Sequence, residues 1–239
     1  MIEDAPILTL RENFPRPSAA VLSALKGVPI GYLVDCMNGS GAMDWGIKAL
    51  PETYRPGATS ADPGPTVLGT ALPCACGPAD NLAVFAAVAV ARPGDIIVAA
   101  TESHTGCALI GDLLLGMARN AGVAAVVTDG LARDVPGLLE VGLPIYARGI
   151  SPNSPARNGP GTVGLPVVVG GVHVAPGDVV AADRDGVVVV PRGEADRVVA
   201  KLAEVRKAEA GLLEKVRAGL TTPDFIRALL DSPRTRRID

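Results

Sequence analysis

The amino-acid sequence predicts a single α/β domain, in which a βαβ unit is followed by a β-rich layer and a C-terminal helix. Aromatic residues make up only 3% of the 239 residues, whereas glycine (28) and proline (21) are abundant. That composition is typical of short buried strands joined by tight turns. Strand-like and helix-like segments alternate in the first half of the chain, and valine-rich runs dominate the second half. Because no linker separates two cores, one domain over residues 1–239 is expected.

The first half of the chain begins with a helical region at about residues 1–60, which contains the segment SAAVLSALKGV (18–28). A Pro/Gly-rich link, YRPGATSADPGP (54–65), then leads into the sheet. The apolar patterns after the link predict a strand at 66–76, a buried helix at 79–91, a strand at 93–101, a helix at 108–122 that ends at a glycine, and a strand at 123–129. The last three of these elements form the predicted βαβ unit.

The second half is richer in strands. We expect them within 143–149, 162–174 and 178–192, where the sequence DRDG supplies a turn between two Val-rich runs. A charged amphipathic helix is predicted from Glu194 to about Arg217, within a C-terminal helical extension at about 193–239. Its apolar face could cover a neighbouring subunit or pack on the chain's own core, and the sequence leaves both open.

Charge and composition exclude several classes of protein. The formal net charge is −3 and the 22 basic residues are spread along the chain, so no nucleic-acid partner is expected. The N-terminus lacks the basic and apolar regions of a targeting signal, and no run of about 18 apolar residues occurs, which predicts a cytoplasmic protein with no membrane partner. The four cysteines, including CAC at 74–76, fit buried reduced thiols better than a disulfide scaffold or a metal–thiolate site.

The stretch VVTDGLARDV (126–135) places Arg133 and Asp134 just after a predicted buried strand. In a parallel βαβ unit, the helix N-terminus and the loop after the second strand lie at the same carboxyl edge of the sheet, where ligands usually bind. The candidate site therefore combines two side chains of that loop with the start of the helix, where backbone N–H groups can bind an anion. The helix residues are Gly111, Asp112, Leu113 and Leu114.

Each of these side chains has a role that suits its chemistry. Arg133 can hold a carboxylate or an enolate oxygen, Asp134 can bind a hard divalent cation, and Asp112 can orient a metal-bound water or move a proton. The alternative from spacing alone is a solvated turn, in which Arg133 pairs with Asp134 or Asp129 and Asp112 is a helix N-terminal acid.

The string GDLLLGMARNAGVAAVVTDGLARD resembles the signature of the family that contains 4-hydroxy-4-methyl-2-oxoglutarate/4-carboxy-4-hydroxy-2-oxoadipate aldolases and the regulator of ribonuclease activity A (RraA-like proteins). Active members carry Asp, twenty residues, then Arg-Asp, which Asp112, Arg133 and Asp134 match. The likeness extends through GPADNLAVFAAVAVARPGDIIV, GLPIYARGISP and GDVVAADRDGVVVVPR, and covers roughly residues 66–192. The chain departs from fuller descriptions of the motif at Gly137, where they place an acidic residue.

The resemblance implies a class II pyruvate aldolase that depends on Mg²⁺ or Mn²⁺, with a β/β/α fold related to swivelling phosphohistidine domains, assembled as a homotrimer or homohexamer. By this likeness Asp134 anchors the cation, and Arg133 grips the 2-oxo acid end of the small-molecule substrate. The amides of residues 111–114 complete the carboxylate pocket, and Asp112 positions a water for proton transfer. Oxaloacetate decarboxylation is the implied side reaction.

Two other functions compete with the aldolase. The regulator branch of the family implies a non-catalytic protein that binds a ribonuclease, but such a docking surface has no use for Asp112, Arg133 and Asp134 together. A methyltransferase is suggested by the glycine content alone, and no Gly-rich loop joins a strand to a helix as its cofactor site requires. Glu102 and His104 precede the anion-binding helix, and a metal-enolate mechanism needs no imidazole, so His104 is expected to be a loop residue without a catalytic part.

Overall fold

A computed structural model describes residues 6–50 and 67–238, and the predicted Pro/Gly-rich link at 54–65 lies outside them. The described strands are β1 (Leu8–Leu10), β2 (Lys48–Leu50), β3 (Val67–Ala75), β4 (Asp95–Ala100), β5 (Ala108–Ile110), β6 (Ala125–Thr128), β7 (Leu131–Ala132), β8 (Ile145–Ala147), β9 (Gly161–Val163), β10 (Val167–Val169), β11 (Val172–Val174), β12 (Val179–Ala182) and β13 (Val187–Val190). The helices are α1 (Ala19–Leu25), α2 (Ile30–Cys36), α3 (Leu82–Val90), α4 (Asp112–Asn120), α5 (Val135–Val141), α6 (Ala195–Arg217) and α7 (Asp224–Leu230).

The central sheet runs in the order β1-β9-β3-β4-β6-β8-β2, and the predicted βαβ unit is confirmed as β4-α4-β6. β3, β4, β6 and β8 are parallel neighbours. The three connections between them contain α3, α4 and α5 in turn, so the loops that follow the parallel strands meet at one edge.

Alternate residues of these strands face two different cores. Ile97, Ala99 and Val126 pack with helices α3, α4 and α5, whereas Ile96 and Val98 face the other side with β10 and β11. A sheet covered on both faces has strands that are apolar throughout, which explains why the sequence shows runs of Val, Ile and Ala without polar alternation. A third core joins α1, α2 and α6 to the outer face of β12 and β13.

The structure corrects the prediction of a separate β-rich layer. β12 and β13 form the hairpin expected around DRDG, but β12 also pairs with residues 67–70 of β3, and β9 pairs with the other end of β3. β3 is nine residues long, so one of its edges accommodates both partners. Of the later strands in the described chain, only the β10–β11 ribbon lies outside the main sheet.

The N-terminal region is less helical than predicted. Besides α1 and α2, it contributes β1 and β2, which extend the sheet at its two ends by pairing with β9 and β8. Three-residue strands are too short to produce a recognisable alternation pattern, and long-range pairing decides their conformation. Within residues 6–50 and 67–238, no single helix has the length and apolarity to span a membrane, and one bent pair, α1 with α2 at 114°, satisfies those criteria jointly.

The predicted C-terminal helix is confirmed as α6. The sequence left open whether its apolar face packs on the chain's own core or covers a neighbouring subunit, and the two halves of the helix differ in this respect. Val198 and Leu202 in its first half are buried against the third core, whereas Leu212 and Val216 in its second half are 46% and 51% exposed. The first half therefore packs on the chain's own core. The relation to swivelling phosphohistidine domains stays a prediction.

Candidate active site

The predicted helix at 108–122 is two elements, and this division builds the site. Residues 108–110 form β5, which pairs in parallel with β7, and α4 begins only at Asp112. The backbone N–H of Arg133 donates to the Ile110 carbonyl at 3.0 Å. Because Gly111 follows β5 and Arg133 follows β7, the pairing brings the start of α4 beside the Arg-Asp pair, as the carboxyl-edge argument predicts.

Gly111 allows the two segments to approach closely. It is the N-cap of α4, and a Cβ at this position would overlap Asp134 Oδ2 and lie 3.2 Å from both Cγ and Nε of Arg133. Arg133 Nε lies 3.1 Å from Asp134 Oδ2, and another nitrogen of the same guanidinium donates to the Ser154 hydroxyl. The ion pair of the alternative interpretation is therefore present, but it stands against the N-terminus of a helix.

Asp134 has an unusual backbone conformation. Its φ of 64° and ψ of 47° lie in the left-handed region, which is rare for a residue with a Cβ. Asp134 is also the N-cap of α5, but its side chain makes no capping hydrogen bond. Its carboxylate instead faces Arg133 and Gly111 and is 41% exposed. Left-handed residues that are not glycine cluster at functional sites, which fits the predicted role of this carboxylate.

Asp112 lies between the first turns of α4 and α5. Its Oδ1 accepts a hydrogen bond from the Leu113 N–H at 2.7 Å, and its Cγ is 2.8 Å from the position that a Cβ of Gly137 would occupy. The Gly137 departure from the family motif therefore provides the space that the Asp112 carboxyl group fills.

A cavity of about 290 Å³ opens at this point, and we call it the α4 cavity. It brings all six predicted site residues together at its wall. It is lined by Asn81, Phe85, residues 108–114, Met117, Arg133, Asp134, Ser154, Pro155 and Arg157. With two arginines and two aspartates on a partly apolar wall, the cavity suits a small anionic ligand.

The sequence reasoning missed four other lining residues, namely Asn81, Phe85, Ser154 and Arg157. The Arg157 guanidinium lies over the Phe85 ring, 5.0 Å from its centroid. These residues come from the start of α3 and from the segment 151–160, far from the motif in sequence. The segment GPADN lies within the region of resemblance, but no spacing rule connects it with Arg133.

The buried Asp80 side chain links the segment 151–160 to the start of α3. It is 6% exposed, and its carboxylate accepts hydrogen bonds from the N–H groups of Leu82, at 2.9 Å, and of Asn158 and Gly159. Burial by itself would raise the pKa of Asp80, but these three donors hold the pKa of the carboxyl group below its usual value. Asp80 thereby positions the segment that carries Arg157.

We expect Asp80→Asn to lower the free energy of unfolding by about 1–3 kcal/mol at pH 7, because an amide is a weaker acceptor for three N–H donors. A lowered folded-state pKa stabilises the fold above the unfolded value of about 4, and this contribution is lost as pH falls through the folded pKa. Urea unfolding at pH 7 and across the acid range measures both effects. Asp231→Asn, at a side chain 81% exposed, is the matched control. An unchanged acid profile in Asp80→Asn would contradict the assignment.

The remaining candidates lie outside the α4 cavity. Asp129 does not pair with Arg133, because its buried carboxylate accepts hydrogen bonds from the N–H groups of Thr101 and Ser103 at 2.7 and 2.9 Å. Glu102 is exposed, and His104 lines a separate small hollow. The four cysteines are buried and unpaired, as predicted.

The carboxylates at the cavity fit a loosely bound divalent cation. Among the described residues, no three His, Cys, Asp or Glu side chains form a metal cluster. Mg²⁺ needs no such cluster, since it is usually held by one or two carboxylates and keeps several waters. Half-exposed Asp134, with Asp112 at the N-terminus of α4, would provide the oxygen donors for such a weakly bound, largely hydrated cation.

Several known proteins are similar to this chain in sequence and fold. A family model described as RraA-like, Aldolase/RraA, matches residues 35–189. A protein of Halalkalibacterium halodurans, provisionally named a 4-hydroxy-4-methyl-2-oxoglutarate aldolase, is 34% identical over 210 residues, covering 88% of this chain and 93% of the relative.

Two solved structures extend the similarity to the fold. RraAS2 of Streptomyces coelicolor, described as an unusual member of the RNase ES inhibitor RraA protein family, is 28% identical with a TM-score of 0.69, covering 84% of this chain and all of that one. An uncharacterized protein from Pseudomonas syringae is 25% identical with a TM-score of 0.70, covering 87% and 97% of the two chains. The length of the family match and the identity to the Halalkalibacterium relative show that this chain belongs to the RraA-like (Aldolase/RraA) family.

Proposed function

We propose that the chain is a divalent-metal-dependent class II pyruvate aldolase. Its substrate is a 4-hydroxy-2-oxo di- or tricarboxylic acid such as 4-hydroxy-4-methyl-2-oxoglutarate or 4-carboxy-4-hydroxy-2-oxoadipate, which it cleaves to pyruvate and a second oxo acid. Oxaloacetate decarboxylation is the side reaction. The observation that carries this proposal is the convergence of Arg133, Asp134 and Asp112 with the α4 N-terminus on one cavity. The aldolase name of the Halalkalibacterium relative supports the reaction class.

The 2-oxo acid end of the substrate binds to the Arg133 guanidinium and the N-terminus of α4. The guanidinium of Arg133 contacts Asp134 and Ser154. These contacts fix the plane of its N–H donors before the substrate binds. The first-turn N–H groups of α4 add an anion-binding terminus, and the substrate carboxylate replaces the Asp112 carboxylate as the acceptor for Leu113 N–H.

In the cleavage step the water held by Asp112 takes the proton of the C4 hydroxyl, and the C3–C4 bond breaks with its electron pair becoming the pyruvate enolate. Arg133 stabilises the enolate charge, because the guanidinium already lies where this charge develops. Asp112 positions the water that completes proton transfer to C3. Asp134 would hold Mg²⁺ or Mn²⁺, which when bound supplies Lewis-acid polarisation of the 2-oxo group.

The distal carboxylate of a diacid substrate requires a second cation, and Arg157 provides it on the cavity wall. Its stacking on Phe85 holds the guanidinium at the cavity without consuming its hydrogen-bond donors. The presence of two arginines in one small cavity favours dicarboxylates over monocarboxylic 2-oxo acids.

Activity should require an added divalent cation and disappear in chelator while the fold persists, because the core does not depend on a site of one or two carboxylates. The test is a screen of oxaloacetate and 4-hydroxy-2-oxo diacids with Mg²⁺ or Mn²⁺, with far-UV circular dichroism recorded in chelator. Recovery on adding the metal back is expected, and Asp134→Ala should need far more metal. Undiminished turnover in chelator, or a loss of the folded spectrum, would contradict the metal assignment.

A ribonuclease regulator is the second candidate, because the Streptomyces structure is described as a member of an RNase ES inhibitor family. A regulator would inhibit the nuclease equally well after Arg133→Ala and would convert no 2-oxo acid. The same activity screen, run beside a nuclease inhibition assay, separates the two functions. We further propose a trimer or a pair of trimers in the cytoplasm, for which the exposed apolar residues Leu212 and Val216 of α6 offer a contact face.

A further inference from the structure

The side-chain amide of Asn81 is buried at the wall of the α4 cavity, and its oxygen accepts no hydrogen bond from the described residues. Asn81 is 5% exposed, and its Nδ2 donates a hydrogen bond to the Leu109 carbonyl at 2.9 Å. This bond fixes the orientation of the amide, so that Oδ1 is the remaining polar atom. No donor in residues 6–50 or 67–238 reaches this oxygen. A buried acceptor without a donor is costly, which indicates that its donor comes from a ligand in the cavity.

The other buried side-chain atoms of the described chain without a hydrogen bond have a different setting. They are the Nε atoms of Arg16 and Arg148, whose guanidinium groups already form ion pairs with Asp95 and Asp44. Neither arginine lines the α4 cavity. Asn81 therefore combines a buried side-chain oxygen that has no donor among the described residues with a place in the cavity wall.

The backbone places Asn81 beside the residue proposed to hold the distal carboxylate. Asn81 N–H donates to the Ala156 carbonyl at 3.0 Å, and Ala156 immediately precedes Arg157. A diacid held by Arg133 at one end and Arg157 at the other has its middle carbons inside the cavity. In a 4-hydroxy-2-oxo diacid, the hydrogen-bond donor among those middle carbons is the C4 hydroxyl.

We propose that Asn81 Oδ1 accepts a hydrogen bond from the C4 hydroxyl of the substrate and thereby makes the cavity select hydroxylated 2-oxo acids. This assignment rests on the proposed aldolase function. An amide oxygen is too weak a base to remove the proton, so its role is to recognise the hydroxyl and hold it for cleavage. Oxaloacetate carries no such hydroxyl, and its decarboxylation makes no use of Asn81.

Asn81→Leu, which keeps the branched shape and the number of heavy atoms of the side chain, tests the proposal. The kcat/KM for cleavage of 4-hydroxy-4-methyl-2-oxoglutarate should fall about 10- to 100-fold, while that for oxaloacetate stays within about 3-fold. The variant also loses the hydrogen bond to the Leu109 carbonyl. If that loss disturbed β5 and the α4 N-terminus, both rates would fall. An equal loss on both substrates therefore assigns Asn81 a structural role and overturns the proposal, as does an undiminished cleavage rate.

A binding measurement separates this proposal from the aldolase function itself. 4-Hydroxy-2-oxoglutarate and 2-oxoglutarate differ only in the hydroxyl, and calorimetry in chelator, where no cleavage is expected, should show wild type binding the former about 10-fold tighter, a preference that Asn81→Leu abolishes. If wild type cleaves neither acid yet keeps the preference, the aldolase function fails and the Asn81 contact stands. Equal affinity of wild type for the two acids overturns the Asn81 contact whether or not cleavage occurs.

Discussion

Replacing Arg133 by alanine is expected to lower kcat/KM about 100-fold or more for both oxaloacetate and the 4-hydroxy-2-oxo diacid, or about 3 kcal/mol of transition-state stabilisation. In the proposed mechanism both reactions pass through the same pyruvate enolate, and Arg133 is the residue proposed to stabilise its charge. The side chain is 32% exposed, so the free energy of unfolding should scarcely change. Steady-state kinetics on the two substrates, with urea unfolding of the same samples, makes the measurement.

Two further variants sharpen this result. Arg133→Lys should recover little activity, because an ammonium group cannot contact Asp134, Ser154 and an enolate oxygen in one plane. Arg206→Ala removes an equal charge from an exposed position of α6 and should leave both rates unchanged. Near-normal turnover in Arg133→Ala would mean that the arginine only pairs with Asp134 on a solvated turn.

Gly111→Ala is expected to reduce turnover about 100-fold without unfolding the protein, because a displacement of roughly 1 Å at a catalytic group can have that effect. The added methyl group would overlap Asp134 Oδ2 and press on the Arg133 side chain, so both must move. The backbone at Gly111, with φ −121° and ψ −174°, accepts alanine without strain. Kinetics and a thermal unfolding curve together distinguish misplacement of the site from loss of the fold.

The same helix offers the matched control. A Cβ at Gly116 would find its nearest heavy atom, Val141 Cγ2, at an ordinary 3.7 Å. Gly116→Ala should therefore keep full activity and raise stability by about 0.5–1 kcal/mol, as the helix interior favours alanine over glycine. If the two alanine variants lose activity equally, the close packing of Gly111 against Asp134 is not what makes that glycine necessary.

The residues of the site that could be predicted are those placed by apolar sequence patterns and by the order of strands and helices along the chain. Apolar runs located β4, β6 and the helix between them, and the topology of parallel strands then placed Arg133, Asp134 and the start of α4 together. That argument needs only strand direction and chain order.

What could not be predicted depends on contacts between distant segments. Residues 108–110 adopt a strand because β7 pairs with them, and an apolar tripeptide before a helix carries no sign of that pairing. Asn81 and Arg157 are joined through the backbone bond from Asn81 to Ala156 and through Asp80, whose partners lie 78 and 79 residues away. Buried polar anchors of this kind leave no periodic pattern in the sequence.

The Asp112 carboxyl group fills the space that a side chain at position 137 would need. The residue types at these two positions are therefore interdependent across the family. The Cγ of Asp112 lies 2.8 Å from where a Cβ of residue 137 would stand, so any side chain there must displace the carboxyl group. In relatives that carry an acidic residue at the equivalent of 137, the two carboxylates must divide that volume differently, and the aspartate must turn away from its contact with α5. We therefore expect the two positions to covary. A glycine at 137 should accompany the Asp112 rotamer described above, whereas small residues at Leu113 or its neighbours in α4 are not required. Introducing the acidic residue alone into this chain would displace the Asp112 carboxyl group, so exchanging these residues between branches of the family requires changing the two positions as a pair.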